Sequence, residues 1–228
     1  MANVDKIYFQ LSRGILENGY IYTTDNRPDI PCIQVSSAVI DIPLSEFPLL
    51  TTKKMFFKGI VAELLWFLQG QDTTIPLVNQ GVQIWDKDAY NFYCKACDKA
   101  GLRKISFEDF MLEMKNPGTV QWDAPSPDFT LGDVGRNYGV QWRGWSGKIT
   151  TKDNKVSSLF VAKFDQIENL IENLRKPNPI NRRHVVTAWN PAELDDTALP
   201  PCHWAFEILP KPLSVRNKMY FASADAEY

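Results

Sequence analysis

The sequence predicts an α+β fold, in which strands are mixed with a few long helices. Apolar residues recur at helical spacing over residues 4–18 and again over 164–174. Residues 202–209 alternate in character, as expected for a strand with two different faces. Residues 33–42 are rich in Val, Ile and Ser, which predicts a further strand. Strands and helices mixed in this way indicate the α+β class.

The bulk composition limits the classes of function. A chain of 228 residues, 44% of them apolar, can form one domain with a substantial core, so we predict a single domain over 1–228. A formal net charge of −2 gives no bulk attraction for nucleic acid or a membrane, and neither is predicted as a partner. No apolar run approaches the roughly 18 residues of a membrane span. Four cysteines and no signal-peptide layout favour a cytoplasmic location.

A helix is predicted over about residues 54–69, and it is apolar on nearly every face. Such a helix is normally buried. Glu63 lies in its middle, and a buried carboxylate must be paired, be protonated or face a polar cavity. Two interpretations stay open: a structural ion pair, or a functional acid–base group with a raised pKa.

Two other patterns have less chemical meaning. Cys94 and Cys97 have the CxxC spacing of a redox motif or half a zinc site, but no second pair lies at a suitable spacing, and no metal is predicted. The glycine-rich stretch 132–143 lacks the spacing of a P-loop or dinucleotide fingerprint, so a structural turn is predicted. The long polar stretch before it contains a short helix at about 106–114 and a surface excursion over 115–130.

The clearest chemical pattern lies in the final third. Cys202 follows Pro200-Pro201, which suits a nucleophile held in place, although a single cysteine is often a small buried hydrophobe. A thiol that reacts near pH 7 needs a cation to lower its pKa. Arg182 and Arg183 are the obvious local cations, and guanidinium groups also suit phosphate recognition. The alternation places His203 on the opposite face, which disfavours a protease-like Cys–His pair.

Several segments together resemble those of the thymidylate synthase family, and they follow in that family's order. They are 47–53 (FPLLTTK), 63–70 (ELLWFLQG), 84–86 (IWD), 138–143 (YGVQWR), 182–190 (RRHVVTAWN) and 198–203 (ALPPCH). The resemblance covers residues 1–209 apart from an insertion at about 87–131. It implies a thymidylate synthase-like mixed sheet that packs against its mate in a homodimer.

The resemblance also implies an activity and a set of site residues. The family transfers a one-carbon unit from 5,10-methylenetetrahydrofolate, a co-substrate, to C5 of dUMP, giving dTMP. The implied catalytic residues are Cys202, which adds to C6, Glu63, which relays protons through water, and Tyr138, which lies near the nucleophile. The implied substrate-binding residues are Arg27, Arg182, Arg183, Ser223 and Asp225, with Arg182 and Arg183 acting across the dimer interface. The implied folate-binding residues are Lys53, Ile84, Trp85 and Asp225.

The sequence departs from the family pattern in three places. Residues 28–31 (PDIP) replace a threonine- and glycine-rich loop, and Glu207 replaces a glutamine. Counted without gaps, Ala222 stands where the arginine of an Arg-Ser-x-Asp segment belongs, and the asparagine that selects uracil over cytosine has no counterpart. We therefore expect a chain without the family's C-terminal third. Two alternatives stay open: a dUMP or dCMP hydroxymethylase of the same superfamily, and an inactive nucleotide-binding fragment.

Overall fold

The protein is described by a computed structural model that covers residues 3–24, 27–43, 45–146, 164–210 and 218–222. The chain divides into two compact units, Met1–Phe56 and Phe57–Tyr228. Each unit is described by itself. The prediction of one domain over the whole chain, with an insertion at about 87–131, stays a prediction.

The first unit begins with the predicted amphipathic helix, α1, at Asn3–Asn18. A hairpin of β1 (Tyr20–Thr24) and β2 (Arg27–Gln34) follows, with antiparallel pairing. The strand predicted for 33–42 is wrong beyond Gln34. The register pairs Tyr20, the first residue of β1, with Gln34, so the ladder ends there. Strand-like composition alone does not extend a strand that has no neighbour to pair with.

A buried carboxylate ties α1 to a later segment of the same unit. Asp5 is fully buried and accepts hydrogen bonds from the Thr51 backbone N–H at 2.8 Å and from the Thr51 hydroxyl at 2.5 Å. These bonds favour the ionised form, and the Thr51 hydroxyl is the largest cause of a lowered Asp5 pKa. The carboxylate therefore acts as a fixed link between α1 and Thr51.

The second unit contains six α-helices and a three-stranded sheet among its described residues. The helices are α2 (Phe57–Leu68), α3 (Ile75–Asn79), α4 (Asp86–Ala100), α5 (Phe107–Lys115), α6 (Tyr138–Gly144) and α7 (Gln166–Leu174). The strands are β3 (Val185–Thr187), β4 (Ala205–Leu209) and β5 (Lys218–Ala222), in the order β3-β4-β5. The α+β class is confirmed. The described strand pairs are antiparallel, so the mixed character of the sheet stays a prediction.

Helices α4 and α5 build much of the core, although the sequence of this region was interpreted as a long polar stretch. Ala89, Tyr93 and Cys97 are completely buried and lie four residues apart on one face of α4. Phe110 and Met114 extend the same core from α5, the predicted short helix. Charged residues on the outer faces of both helices mask this pattern when composition is averaged over the stretch.

The segment after α5 is held by another buried carboxylate. Glu113 is 8% exposed and accepts three backbone N–H bonds, from Gly118 at 2.7 Å, Thr119 at 2.9 Å and Val120 at 2.8 Å. The bond from Gly118 is the largest cause of a lowered Glu113 pKa. The surface excursion predicted for 115–130 is mostly exposed, and Glu113 fixes its first residues.

Helix α2 differs from its prediction, because only one of its faces is buried. Ala62, Trp66 and Phe67 face the core. Six large apolar side chains of α2 are 36–51% exposed, namely Phe57 at its start and five that we name the α2 stripe: Ile60, Val61, Leu64, Leu65 and Leu68. A helix that is apolar all round can be covered on both sides only if the fold supplies a second layer. None of the helices in the described residues is long and apolar enough to cross a membrane.

Candidate active site

The site is built on the turn predicted from the glycine-rich stretch. Gly135 has a φ of 70°, and a Cβ at this position would lie 2.1 Å from the Asp196 carbonyl oxygen. Only glycine permits this approach. The approach lets the Arg136 N–H donate to the Asp196 carbonyl at 2.9 Å, and the Ala198 N–H donate to the Val134 carbonyl, also at 2.9 Å. The segment leading to Cys202 is therefore fastened to this turn.

A buried polar network fixes the same two segments from the side. The Glu193 carboxylate, 3% exposed, accepts from the Arg136 Nε at 2.5 Å, the Gln141 Nε2 at 2.8 Å and the Asn190 Nδ2 at 3.1 Å. The sequence assigned no role to these residues. In the sequence they are polar side chains within segments of otherwise apolar composition. Such a pattern does not show which residues form hydrogen bonds with each other.

Cys202 lies at the end of the fastened segment, directly beside Tyr138. Its backbone N–H donates to the Tyr138 hydroxyl at 2.6 Å. The thiol is half-buried and is not part of a disulfide. Tyr138 is the first residue of α6, a helix that the sequence did not predict, and Asn137 caps that helix with its side-chain oxygen. The structure thus brings the predicted Cys202 and Tyr138 together.

His203 meets the same tyrosine, which corrects the strand predicted for 202–209. The strand begins only at Ala205, and the His203 ring stacks on the Tyr138 ring with centroids 4.2 Å apart and planes 16° from parallel. The Cys202 N–H donates to the Tyr138 hydroxyl and so does not pair with a neighbouring strand, and the ladder begins later. The alternation inferred for Cys202 and His203 therefore does not apply, and both residues contact Tyr138.

Glu63 and Trp85 form the second half of the site. The Trp85 indole N–H donates to Glu63 Oε1 at 2.6 Å. Within the described part of the chain, Glu63 has this indole as its partner and no cation, which does not support the ion-pair interpretation. Burial is the main cause of a raised Glu63 pKa, and the indole bond partly offsets it. A carboxyl group with a raised pKa suits proton transfer near neutral pH.

Aromatic rings join the two halves. Tyr138 lies 4.5 Å from Phe67 and 6.4 Å from Trp85 between ring centroids. Burial raises the Tyr138 pKa above the ordinary range of a phenol and lowers the His203 pKa. Both effects favour the neutral form, so Tyr138 stays a phenol and His203 an uncharged ring near pH 7. The two rings described beside Cys202 are therefore both neutral.

Some of the other predicted site residues lie in the second unit. Arg182 and Arg183 are exposed in the segment before β3, and Ile84 is 46% exposed next to Trp85. Glu207 is half-buried in β4, opposite Val185. These positions leave both guanidinium groups accessible from outside this chain.

The rest lie in the first unit or near the end of the chain. Lys53 belongs to the first unit, where its ammonium lies 5.9 Å from the centre of the Tyr8 ring. Arg27 is the first residue of β2, and nothing is described of its side chain. Ser223 and Asp225 lie outside the described residues. The functional assignments of all these residues stay predictions.

The CxxC cysteines have a structural position. Cys97 is completely buried in the core of α4, and Cys94 is half-buried beside it. Among the described residues, no cluster of three or more His, Cys, Asp or Glu side chains could hold a metal ion.

The fold and site together define an α+β protein with a positioned thiol and a carboxyl group of raised pKa around one aromatic cluster. Comparison with known families gives a more specific result. The thymidylate synthase family model matches residues 6–227, and the chain belongs to this family. The predicted family membership is confirmed.

Three curated relatives, each named thymidylate synthase, show the extent of the match. The protein of Malacoplasma penetrans is 35% identical over 222 residues, 96% of this chain and 67% of the relative. That of Staphylococcus haemolyticus is 34% identical over 237 residues, 99% of this chain and 70% of the relative. That of Mesoplasma florum is 34% identical over 206 residues, 89% of this chain and 61% of the relative. The chain therefore spans about two thirds of the length of these relatives.

Proposed function

We propose that this chain carries the nucleophile and proton-transfer groups of a thymidylate synthase-type methyltransferase. The reaction transfers a one-carbon unit from 5,10-methylenetetrahydrofolate to C5 of dUMP and gives dTMP. The observation that carries the proposal is the bond from the Cys202 N–H to the Tyr138 hydroxyl, which supports a fixed backbone position for the thiol expected to react. Family membership supports the assignment of substrate and product.

The proposed chemistry begins with Cys202. Its thiolate adds to C6 of the pyrimidine, and the electron pair of the C5–C6 double bond moves onto the ring as an enolate. C5 of this adduct attacks the one-carbon unit and loses its proton, and release of tetrahydrofolate leaves an exocyclic methylene. A hydride from that tetrahydrofolate reduces the methylene to a methyl group and leaves dihydrofolate, while the Cys202 thiolate leaves C6 and the C5–C6 double bond re-forms. Covalent addition divides the alkylation of an unactivated ring into steps of lower barrier. Glu63, with its raised pKa and its indole partner, relays protons through water to the pyrimidine.

Separate groups of residues are proposed to bind the nucleotide and the folate, and a second subunit takes part in binding the nucleotide. Arg182 and Arg183 are exposed, which fits a role in binding the phosphate of the nucleotide in the partner subunit of a homodimer. Ile84 and Trp85 are proposed as part of the folate-facing wall, with Lys53 at its edge. Arg27, Ser223 and Asp225 keep the roles that the family pattern implies, and the cytoplasm is the proposed location.

Labelling with 5-fluoro-dUMP and 5,10-methylenetetrahydrofolate tests the proposal. The expected result is a covalent ternary adduct on Cys202, detected by mass spectrometry of the intact chain and its peptides. Cys202→Ser should abolish the adduct. Cys94→Ser is the matched control, because it removes another half-buried thiol and should leave labelling unchanged.

The products distinguish this proposal from its alternatives. Thymidylate supports it, whereas 5-hydroxymethyl-dUMP or 5-hydroxymethyl-dCMP would assign the chain to the hydroxymethylases, which deliver water instead of hydride. Nucleotide binding by a folded chain without any adduct would identify an inactive binding fragment. The same absence of an adduct in the presence of a polypeptide that supplies the rest of the family's length would contradict the proposed activity.

A further inference from the structure

His184 is a buried polar side chain to which the proposed chemistry assigns no role. It lies directly before β3 and is 4% exposed. His184, Val186 and Ala188 are buried at alternate positions, so the ring lies on the core side of the strand. An apolar side chain would satisfy this burial by itself. The reason for a polar ring must therefore be sought in its hydrogen bond.

The His184 ring closes a loop. Its Nε2 lies 2.7 Å from the Pro179 carbonyl oxygen, five residues earlier. A carbonyl oxygen only accepts hydrogen bonds, so Nε2 carries a proton and donates it. The His184 carbonyl in turn accepts from the Ile208 N–H at 3.0 Å, which fixes His184 itself to β4. The ring therefore fastens the segment before β3 to the sheet.

Arg182 and Arg183 lie inside the closed loop, residues 179–184, which we name the arginine loop. Both arginines are exposed, and the loop contains no helix or strand that could fix its main chain. A second bond inside it, from the Arg183 N–H to the Asn181 Oδ1 at 3.0 Å, shapes the turn that carries the arginines. The main chain of the arginine pair is thus held by the side chains of His184 and Asn181.

We propose that His184 is a positioning residue for the nucleotide phosphate and acts through Arg182 and Arg183. The inference rests on the proposed function, in which both guanidinium groups bind the phosphate in the partner subunit. Bidentate binding by arginine depends on the direction in which the guanidinium is presented. Long side chains lose rotamer freedom on binding, and a main chain that is already fixed keeps the total cost of ordering low. His184 would supply that preorganisation.

A purely structural role for His184 leads to a different expectation. In that case its hydrogen bond would stabilise the folded chain, and its loss would weaken the binding of every ligand alike. A positioning role confines the effect to the arginine loop and to ligands that carry a phosphate. The two roles are separated by one measurement on the loop and one on binding.

Two variants of the full 228-residue chain are compared with the wild type. His184→Leu keeps a side chain that can be buried but removes the donor to Pro179. His184→Gln keeps a donor, because its amide nitrogen stands at the end of a side chain of similar reach. Urea denaturation establishes that each variant is folded. Sedimentation velocity establishes that its oligomeric state is that of the wild type.

Trypsin cleavage of the native chain measures the loop without any ligand. Cleavage after Arg182 and Arg183 should be about fivefold faster in His184→Leu than in the wild type, because it tracks opening of a loop that has lost one hydrogen bond. His184→Gln should be close to the wild type. Cleavage after Arg103, which is exposed between α4 and α5, is the internal control and should not change. Equal cleavage of the arginine loop in the wild type and His184→Leu would overturn the proposal.

Binding is measured for dUMP by calorimetry and for deoxyuridine, the same nucleoside without its phosphate, by ligand-observed NMR. The Kd for dUMP should rise about fivefold in His184→Leu and recover in His184→Gln, while the Kd for deoxyuridine stays unchanged. An unchanged dUMP affinity in His184→Leu, or an equal loss for both ligands, would overturn the positioning role. Absence of dUMP binding by the wild type would instead contradict the proposed function and the phosphate role with it, and trypsin cleavage would still decide whether His184 holds the arginine loop.

Discussion

Two glutamates of the second unit, the buried Glu193 and the half-buried Glu63, have opposite surroundings. Glu193 accepts hydrogen bonds from a guanidinium and two side-chain amides. Glu63 accepts one bond, from a neutral indole, and burial raises its pKa. Burial of a charge is costly unless hydrogen bonds and an opposite charge compensate for it. Among the described residues, Glu193 has that compensation, whereas Glu63 has only the indole bond.

The difference separates a structural role from a chemical one. A carboxylate held by several donors keeps one orientation, which suits Glu193, because it joins the turn at Arg136 to the segment before Cys202. A carboxyl group with one neutral donor changes its protonation state more readily. Glu63 is therefore suited to accept and release protons.

The largest expected effect comes from breaking the Glu193 network. Arg136→Met removes the guanidinium and leaves the Glu193 charge buried without its cation. Removing one partner of a buried ion pair costs about 3–5 kcal/mol of the free energy of unfolding. Urea denaturation followed by circular dichroism measures this loss.

The exposed ion pair between Lys104 and Asp98 provides a control for that measurement. Its charged atoms lie 2.8 Å apart, with 40% and 62% of the two side chains exposed. Exposed pairs contribute little, so Lys104→Met should leave the denaturation midpoint unchanged. Equal effects of the two substitutions would show that Glu193 is not a structural anchor.

The second prediction is that a substitution at Glu63 reduces turnover and leaves stability intact, the opposite of the result expected for Arg136→Met. Glu63→Gln keeps the shape of the side chain and an oxygen that can accept the Trp85 bond, but it cannot transfer a proton. Turnover should fall about 10²–10⁴-fold, since that is the usual contribution of a positioned acid–base group. Product formation and urea denaturation are compared on the same preparation.

The stability of Glu63→Gln provides the contrast with Arg136→Met. A raised folded-state pKa means that stability falls as pH rises from the ordinary pKa through the raised pKa. The substitution removes this loss, so at neutral pH the variant should be at least as stable as the wild type. A strongly destabilised variant with normal turnover would assign Glu63 to structure.

The smallest expected effect concerns a third carboxyl group, that of Asp133. Its surroundings are intermediate between those of Glu193 and those of Glu63. It accepts one backbone N–H bond, from Gly135 at 2.6 Å, and burial raises its pKa to about 6, with nearby Asp72 adding to the shift. The folded chain therefore binds this proton more tightly than the unfolded chain. Stability should fall by about 1–2 kcal/mol as pH rises from the ordinary pKa of 3.8 to about 6, allowing for solvent screening.

Asp133→Asn should remove this dependence, because the amide oxygen still accepts the Gly135 bond but does not ionise. Urea midpoints between about pH 4 and pH 7 measure the difference between variant and wild type. Identical slopes in the two proteins would show that Asp133 does not titrate in this range.

Helix periodicity and contiguous sequence motifs were sufficient to predict part of the fold and part of the candidate site. Helix α1 and helix α7 have clear apolar spacing and form where predicted. Cys202, Glu63 and Tyr138 were predicted from motifs, and the structure brings Cys202 and Tyr138 together, while their catalytic roles stay predictions. These features depend on residues that are close in sequence.

Features that depend on distant residues were missed. The partner of Glu63 lies 22 residues away, and Glu193 meets Arg136 across 57 residues. Composition gives no information on such pairings. The exposure of the α2 stripe was missed for a related reason, because an apolar helix predicts that something covers it but does not say whether this chain supplies the cover.

Glu113 shows what a buried carboxylate can do outside helices and strands. Its bonds to Gly118, Thr119 and Val120 hold three consecutive amide hydrogens of an otherwise exposed segment. Amide hydrogens exchange with solvent only when such bonds open. The loop should therefore show slow deuterium uptake at these positions at neutral pH, and their protection relative to the intrinsic exchange rate at the same pH should fall in acid, as Glu113 becomes protonated. In an exchange map, a loop would have the protection normally taken as the mark of a helix.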